Sequence, residues 1–121
     1  MFSAQLDFSG EAEEALRFYA NVFNHQLKDT DVFQNEDGTI LHSEIDVFGS
    51  KLMMADGSSV DTVFQGFSFA INITDEAEVR RIYKELSDGA EILIPLGEIE
   101  FSKCYGALKD KFGVVWQICL D

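Results

Sequence analysis

An internal duplication constrains the fold of this chain more than any other feature of its sequence. The segment at 13–19 (EEALRFY) recurs in altered form at 77–83 (AEVRRIY), and the segment at 46–49 (DVFG) recurs at 110–113 (DKFG) with the same separation. Two matches in one order and at one separation indicate a repeated structural unit. With only two copies, the repeat predicts a pseudo-symmetric pair of modules within one domain, with bounds at 1–57 for module one, 58–64 for the joint and 65–121 for module two.

Each copy has the pattern of a strand, a helix and then three strands. Apolar and polar residues alternate at the start of each copy, a helical apolar stripe follows, and turn signals such as Asp37-Gly38 separate the later strands. The most clearly bounded predicted strands are those at 2–8, 40–47, 51–55, 103–109 and 114–120. The sequence therefore predicts an α+β fold built from two βαβββ modules in tandem.

Local signals predict where the two helices begin and end. Ser9 and Thr74 are candidate N-caps, each followed by acidic residues that suit the positive end of a helix. Asn24 and Gly89 are candidate stops, because both residue types tolerate the left-handed backbone that ends many helices.

Composition excludes several classes of partner. The 121 residues include 22 acidic and 9 basic side chains, so the net charge of −13 opposes binding to nucleic acid. No apolar run approaches the ~20 residues of a membrane span, so a membrane partner is not expected. The N-terminal residues lack the pattern of an export signal, and two cysteines fit a reducing compartment, so a cytoplasmic location is expected.

The order of the motifs resembles one known superfamily over nearly the whole chain. The matching segments are 8–23, 41–44 (LHSE), 52–56 (LMMAD) and 110–118 (DKFGVVWQI). Together they are similar to the vicinal-oxygen-chelate superfamily (glyoxalase, bleomycin resistance and extradiol dioxygenase proteins), and in detail to its PhnB-like, demethylubiquinone methyltransferase-like branch. The resemblance implies curved mixed sheets around a cleft, helices on the convex side, and a homodimer.

The resemblance also says where a divalent metal would be held. Its usual ligand positions, on the first and last strands of each module, fall on Ser3, Met53, Ser68 and Gln117. Only Gln117 is a plausible ligand, since hydroxyl and thioether groups are poor donors for such ions. We therefore expect no metal and no cofactor at these positions.

Strand alternation selects candidate ligand-binding residues in the first module. His42, Glu44 and Asp46 share one face with Met53, and the hairpin places Met53 opposite Glu44 or His42. The residues expected to point toward the helix are Leu41, Ile45 and Val47. The polar face is either a solvated strand surface or a source of acid, base or hydrogen-bonding groups for a ligand.

In the second module, Gln117 and Cys119 share the candidate face, while Trp116 is expected in the core. The predicted register puts Cys119 opposite Cys104 or Gly106. These cysteines are then either two unrelated thiols or a redox-sensitive pair. Tyr105 lies beside a possible flap at 99–103, and further aromatic residues that could line the cleft are Phe64, Phe67 and Phe101.

Three functions remain open from the sequence. The leading hypothesis is a small-molecule-binding protein that sequesters or senses an apolar or aromatic compound, as the resemblance to bleomycin-resistance proteins implies. The alternative is a divalent-metal-dependent isomerase, lyase or transferase that uses His42, Glu44 and Gln117. The third is an interaction domain whose cleft is filled by its own aromatic side chains. The candidate ligand-binding residues are His42, Glu44, Met53, Tyr105, Gln117 and Cys119, and the candidate catalytic residues are His42 and Glu44.

Overall fold

A computed structural model describes residues 1–57 and 63–121. The chain forms two compact units, Met1–Thr62 and Val63–Asp121. Positions 58–62 of the predicted joint lie outside the described residues.

The described part of the first unit is a four-stranded mixed sheet with one α-helix and a short 3-10 helix. Its elements are β1 (Ala4–Phe8), α1 (Ala12–Val22), the 3-10 helix (Asp29–Asp31), β2 (Val32–Gln34), β3 (Ile40–Val47) and β4 (Ser50–Asp56). The sheet has the strand order β1-β4-β3-β2, in which β1 and β4 are parallel and the other pairs are antiparallel.

The second unit repeats this topology. Its elements are β5 (Phe69–Ile73), α2 (Glu76–Leu86), β6 (Glu91–Ile99), β7 (Ser102–Lys109) and β8 (Val115–Leu120). The sheet order is β5-β8-β7-β6, with β5 and β8 parallel and the other pairs antiparallel. The predicted α+β class with tandem βαβββ modules is therefore confirmed.

In each unit the helix packs on one face of the sheet and so defines the face that is left for other contacts. Leu16 and Tyr19 of α1 are buried, as are Val79 and Ile82 of α2. Each large apolar side chain buried in this way stabilises the fold by roughly 1.5–3 kcal/mol. Trp116 is also buried, as predicted.

The two copies of the Asp-x-Phe-Gly motif form different turns. Phe48 and Gly49 both have positive φ (50° and 87°) and form the two-residue turn between Val47 and Ser50. In the second copy, the buried Asp110 carboxylate instead accepts hydrogen bonds from the backbone N–H groups of Phe112 and Val114 and from the Trp116 indole, at 2.9, 3.0 and 2.8 Å. The sequence repeat thus preserves a turn and not its geometry.

The helix N-termini differ from the prediction. The N-cap of α1 is Glu11 and not Ser9, and the Glu11 side chain makes no cap hydrogen bond. Asp56, at the end of β4, accepts hydrogen bonds from Gly10 N–H at 2.7 Å and Ala12 N–H at 3.1 Å. The N-cap of α2 is Asp75, whose carboxylate accepts from Ala77 N–H at 3.0 Å, and not Thr74. Both N-cap predictions were wrong. At α1 the free N–H groups bond to the Asp56 carboxylate, which is distant in sequence but close in space, and at α2 a free N–H group bonds to the carboxylate of Asp75, the residue after Thr74.

The predicted helix stop at Asn24 is confirmed. Asn24 has φ 54°, and the following N–H, that of His25, donates to the Ala20 carbonyl at 2.8 Å. This is the hydrogen bond expected when a left-handed residue closes a helix.

A β-bulge reverses the expected direction of Leu41. Phe33 pairs with His42 and Gln34 pairs with Ile40, so Leu41 is an extra residue in β3. Ile40 is consequently buried and Leu41 is 60% exposed, which corrects the expectation that Leu41 points toward the helix. Ile45, beyond the bulge, is buried as expected.

No helix among the described residues is long and apolar enough to cross a membrane.

Candidate functional site

The first candidate site is a line of polar side chains on β3 and β4. Glu44 pairs directly with Met53, which is one of the two registers that the sequence predicted. One oxygen of the Glu44 carboxylate (Oε1) lies 3.2 Å from His42 Nε2, and the other (Oε2) lies 3.2 Å from Lys51 Nζ. His42, Glu44 and Lys51 therefore form one connected group.

The charge on Glu44 is stabilised by its neighbours. The hydrogen bond from His42 lowers the pKa of Glu44 below its ordinary value, the hydrogen bond from Lys51 lowers it further, and desolvation opposes both. All three side chains are between about a third and two-fifths exposed, so solvent screens these interactions. Glu44 is thus an ionised hydrogen-bond acceptor at neutral pH.

Lys51 is a member of this group that the sequence analysis missed. It pairs with Asp46 in the sheet, and it lies two residues before Met53 on the same strand. Strand alternation places Lys51 on the face of Met53 and Glu44. The spacing of two residues between Lys51 and Met53 could have predicted this contact, because a lysine commonly pairs with a carboxylate on the same face of a sheet.

Met53 supplies an apolar surface beside this polar group. It pairs with Gln5 of β1 on one side and with Glu44 of β3 on the other. Gln5 donates from Nε2 to Asp7 Oδ1 at 2.8 Å. The half-buried Met53 thioether therefore lies between two polar side chains, where an apolar part of a ligand can make contact.

The second candidate site is a chain of hydrogen bonds on the face of the second sheet away from α2. The Tyr105 hydroxyl donates to Gln117 Oε1 at 2.8 Å, and Gln117 Nε2 donates to Ser68 Oγ at 2.8 Å. Tyr105 is nearly buried, and its ring meets the ring of Phe101 edge-on, with centroids 5.4 Å apart. Phe101 is 74% exposed, so this group presents an aromatic ring next to a fixed polar chain.

The two cysteines are not cross-strand partners. Cys119 pairs with Tyr105, one residue away from both of its predicted partners, Cys104 and Gly106. Because side chains alternate along a strand, Cys104 points to the opposite face of β7 from Tyr105, and it is fully buried. Both thiols are free, and the redox-pair interpretation fails on this register.

The metal-ligand positions that the resemblance implies do not fit a divalent ion in this chain. Ser3 and Ser68 offer neutral hydroxyl groups, and Met53 offers a thioether, which are poor ligands for such an ion. Gln117, the one plausible ligand, has its amide oxygen bonded to Tyr105 and its amide nitrogen bonded to Ser68. Within residues 1–57 and 63–121, no three His, Cys, Asp or Glu side chains are grouped to hold a metal.

The alternative ligand set, His42, Glu44 and Gln117, is divided between the two units. Both Glu44 oxygens are bonded to His42 and Lys51, and both polar atoms of the Gln117 amide have partners. A metal at these residues would have to displace these contacts.

His25 has a structural position in the first unit. Its Nε2 lies 2.9 Å from Asp31 Oδ2, and its Nδ1 accepts a hydrogen bond from the backbone N–H of Asp46 at 3.2 Å. The hydrogen bond from His25 is the main reason that the pKa of Asp31 is lowered. A cavity of about 160 Å³ adjoins this pair and also reaches Glu44 and Lys51. With both ring nitrogens engaged, His25 attaches the segment after α1 to β3.

Comparisons with known proteins agree with this architecture. A family model described as 3-demethylubiquinone-9 3-methyltransferase matches residues 1–119. A PhnB protein from Bacillus cereus is 30% identical with a TM-score of 0.78, and the match covers 99% of this chain and 98% of that one. Protein PA1353 from Pseudomonas aeruginosa is 23% identical with a TM-score of 0.86, and the match covers 100% and 97%.

The same fold occurs in a glyoxalase-related enzyme from Fulvimarina pelagi. Its TM-score is 0.67 at 20% identity, and the match covers 100% of this chain and 88% of that one. The length of the family match, the tandem βαβββ topology and these structural neighbours lead to one assignment. The chain belongs to the PhnB-like family described as 3-demethylubiquinone-9 3-methyltransferase, and it has the fold of glyoxalase-related proteins.

Proposed function

We propose that this protein binds a small apolar or aromatic compound on the sheet faces that carry the two candidate sites, and so sequesters or senses that compound. The observation that carries the proposal is the hydrogen bonding of the Gln117 side chain. The one plausible ligand among the superfamily's metal positions is bonded instead to Tyr105 and Ser68. This arrangement favours a site that recognises an organic molecule directly over a site that recognises it through a metal.

The second site has the chemical character that such binding requires. Small-molecule sites are mostly apolar and aromatic, with a few fixed polar groups that orient the ligand. The exposed Phe101 ring and the Tyr105 ring against it supply the aromatic part, and the chain from Tyr105 to Ser68 supplies the polar part. Cys119, opposite Tyr105, adds a small polarisable group to the same face.

The first site supplies a complementary set of groups. Met53 offers an apolar contact, while Glu44 and His42 offer hydrogen-bonding groups that are already oriented by each other. A ligand with both an apolar body and a polar substituent fits this combination. Methyl transfer, the activity in the family description, is not part of the proposal, because the sequence offers no glycine-rich nucleotide loop for a methyl donor.

Thermal unfolding in the presence of a panel of aromatic compounds and, separately, of Mn²⁺, Ni²⁺ and Zn²⁺ tests the proposal. A compound at ~100 times its Kd stabilises the folded state by ~2.7 kcal/mol, which a melting curve resolves. We expect stabilisation by aromatic compounds in the presence of EDTA. Stabilisation by metal alone, lost with EDTA, would instead support the metal-dependent enzyme. An unchanged melting temperature with both the aromatic compounds and the metal ions would favour an interaction domain.

We also propose that the protein is a homodimer located in the cytoplasm. The resemblance to the superfamily supports the dimer, and the free thiols of Cys104 and Cys119 fit a reducing compartment. Size-exclusion chromatography with light scattering should give twice the 13.6 kDa chain mass at micromolar concentration. A monomer under these conditions would contradict the proposed dimer.

A further inference from the structure

His42 lies beside an exposed aromatic ring at the edge of the first sheet. Phe33 is its direct cross-strand partner, and the two ring centroids are 6.4 Å apart with an interplanar angle of 36°. Phe33 is 55% exposed, and the His42 side chain is 37% exposed. A planar molecule can therefore reach the Phe33 ring and the imidazole of His42 together.

The neighbours of His42 determine which of its nitrogens is available. An ionised carboxylate only accepts hydrogen bonds, so the contact of 3.2 Å between His42 Nε2 and Glu44 Oε1 requires a proton on Nε2. In the neutral imidazole, Nδ1 then carries a lone pair. No residue in the described part of the chain is found bonded to Nδ1, which leaves it as an acceptor facing away from Glu44.

Lys51 keeps Glu44 in the role of acceptor. Its ammonium group lies 3.2 Å from Glu44 Oε2, the oxygen that His42 does not use. A carboxylate that is paired on both oxygens has one preferred orientation and stays ionised. Lys51 therefore acts on the ligand site through Glu44, as a positioning residue.

We propose that His42 Nδ1 accepts a hydrogen bond from an N–H or O–H group on a planar ring that packs against Phe33. The ligand class is thus an aromatic compound with a ring-borne hydrogen-bond donor, recognised without a metal. This inference rests on the proposed binding function and narrows the ligand that the first site takes. It divides the recognition between Phe33, which contacts any ring, and His42, which selects the donor.

A matched pair of probes tests this division. Indole carries a ring N–H, and 1-methylindole carries a methyl group in its place. In EDTA-containing buffer at pH 8, a titration followed by ¹H–¹⁵N NMR should show indole binding about tenfold more tightly, since a donor that is lost leaves an acceptor unpaired. The preference should disappear in His42→Phe. Phe33→Leu, the control, should weaken both probes by a similar factor and keep the preference.

The possible results separate the inference from the proposal that it rests on. Equal affinity of the two probes for the natural chain, or a preference that survives His42→Phe, would overturn the role of His42 while leaving aromatic binding in place. Binding of neither probe would overturn both this inference and aromatic binding at the first site.

The decisive part of a second measurement needs only the natural chain. The imidazole ¹⁵N shifts of His42 in the unliganded protein report which nitrogen carries the proton. We expect the Nε2–H tautomer at pH 8, and a smaller share of it in Lys51→Met. A dominant Nδ1–H tautomer in the natural chain would overturn the inference, because Nδ1 would then be a donor.

Discussion

The ring of Tyr83 lies directly over Gly106, and this contact holds helix α2 against strand β7. A Cβ atom added at Gly106 would come within 2.6 Å of Tyr83 Cε2 and 3.2 Å of the Leu96 Cα atom. The Tyr83 hydroxyl reaches past Gly106 to donate to the Ile94 carbonyl at 3.2 Å. One missing side chain on β7 therefore allows a helix residue to bond to the next strand, β6.

Gly106→Ala should destabilise the protein by about 1–3 kcal/mol. The added methyl group overlaps the Tyr83 ring, and overpacking of a close contact has a penalty of this size. Urea unfolding followed by circular dichroism measures the change. Gly97→Ala is the matched control, because a Cβ there meets nothing within 4 Å. An equal effect of both substitutions would contradict the steric explanation.

Asp56→Ala should destabilise the first unit by about 1–3 kcal/mol. The Asp56 carboxylate accepts hydrogen bonds from the N–H groups of Gly10, Ala12 and Ile40, at 2.7, 3.1 and 3.0 Å. The substitution removes this acceptor, so the N–H groups at the start of α1 lose their hydrogen-bond partner. The measurement is chemical unfolding with helix content as the readout. The control is Glu11→Ala, since Glu11 is the N-cap residue but makes no side-chain cap hydrogen bond. Equal losses of stability in Asp56→Ala and Glu11→Ala would contradict the role of Asp56 as the cap of α1.

The sequence predicted local elements well and long-range contacts poorly. Strand β3 at Ile40–Val47 matches the predicted bounds, and the stop at Asn24 follows from local backbone chemistry. The cap from Asp56 joins residues 44 apart in sequence, so no local pattern indicates it. The bulge at Leu41 depends on a pairing with β2 that alternation along β3 alone does not contain.

In the candidate sites too, the sequence predicted contacts within a short hairpin better than contacts between distant strands. The sequence placed Met53 opposite Glu44 as one of two options, because a two-residue turn fixes the register of a hairpin. The second hairpin has a longer turn that is held by the side chain of Asp110, and this shifted the register of Cys119 by one residue. Partners that lie on distant strands, such as Ser68 for Gln117, require the fold itself.

The two histidines should respond differently to substitution. His25→Ala should destabilise the protein by about 1–2 kcal/mol, because His25 bonds both Asp31 and the backbone of Asp46. His42→Ala should change stability by less than about 0.5 kcal/mol, since its contacts are partly exposed. Thermal and urea unfolding of the two variants side by side give the comparison. A larger loss for His42→Ala would show that His42 is structural and would count against its proposed role in binding.

The contribution of Asp31 to stability should decrease in acid. Its pKa is lowered in the folded state, chiefly by the hydrogen bond from His25 and then by the Lys28 backbone N–H. A depressed pKa means that the contribution is fully present above the ordinary value of 3.8 and is lost as the pH falls through the folded value. The difference in unfolding free energy between the natural chain and Asp31→Asn should therefore narrow as the pH falls from 5 to 3. The control variant is Asp29→Asn, in the same 3-10 helix, where the described contacts include no such partner for the carboxylate. A difference between the natural chain and Asp31→Asn that stays constant over this range would show that the Asp31 charge does not contribute.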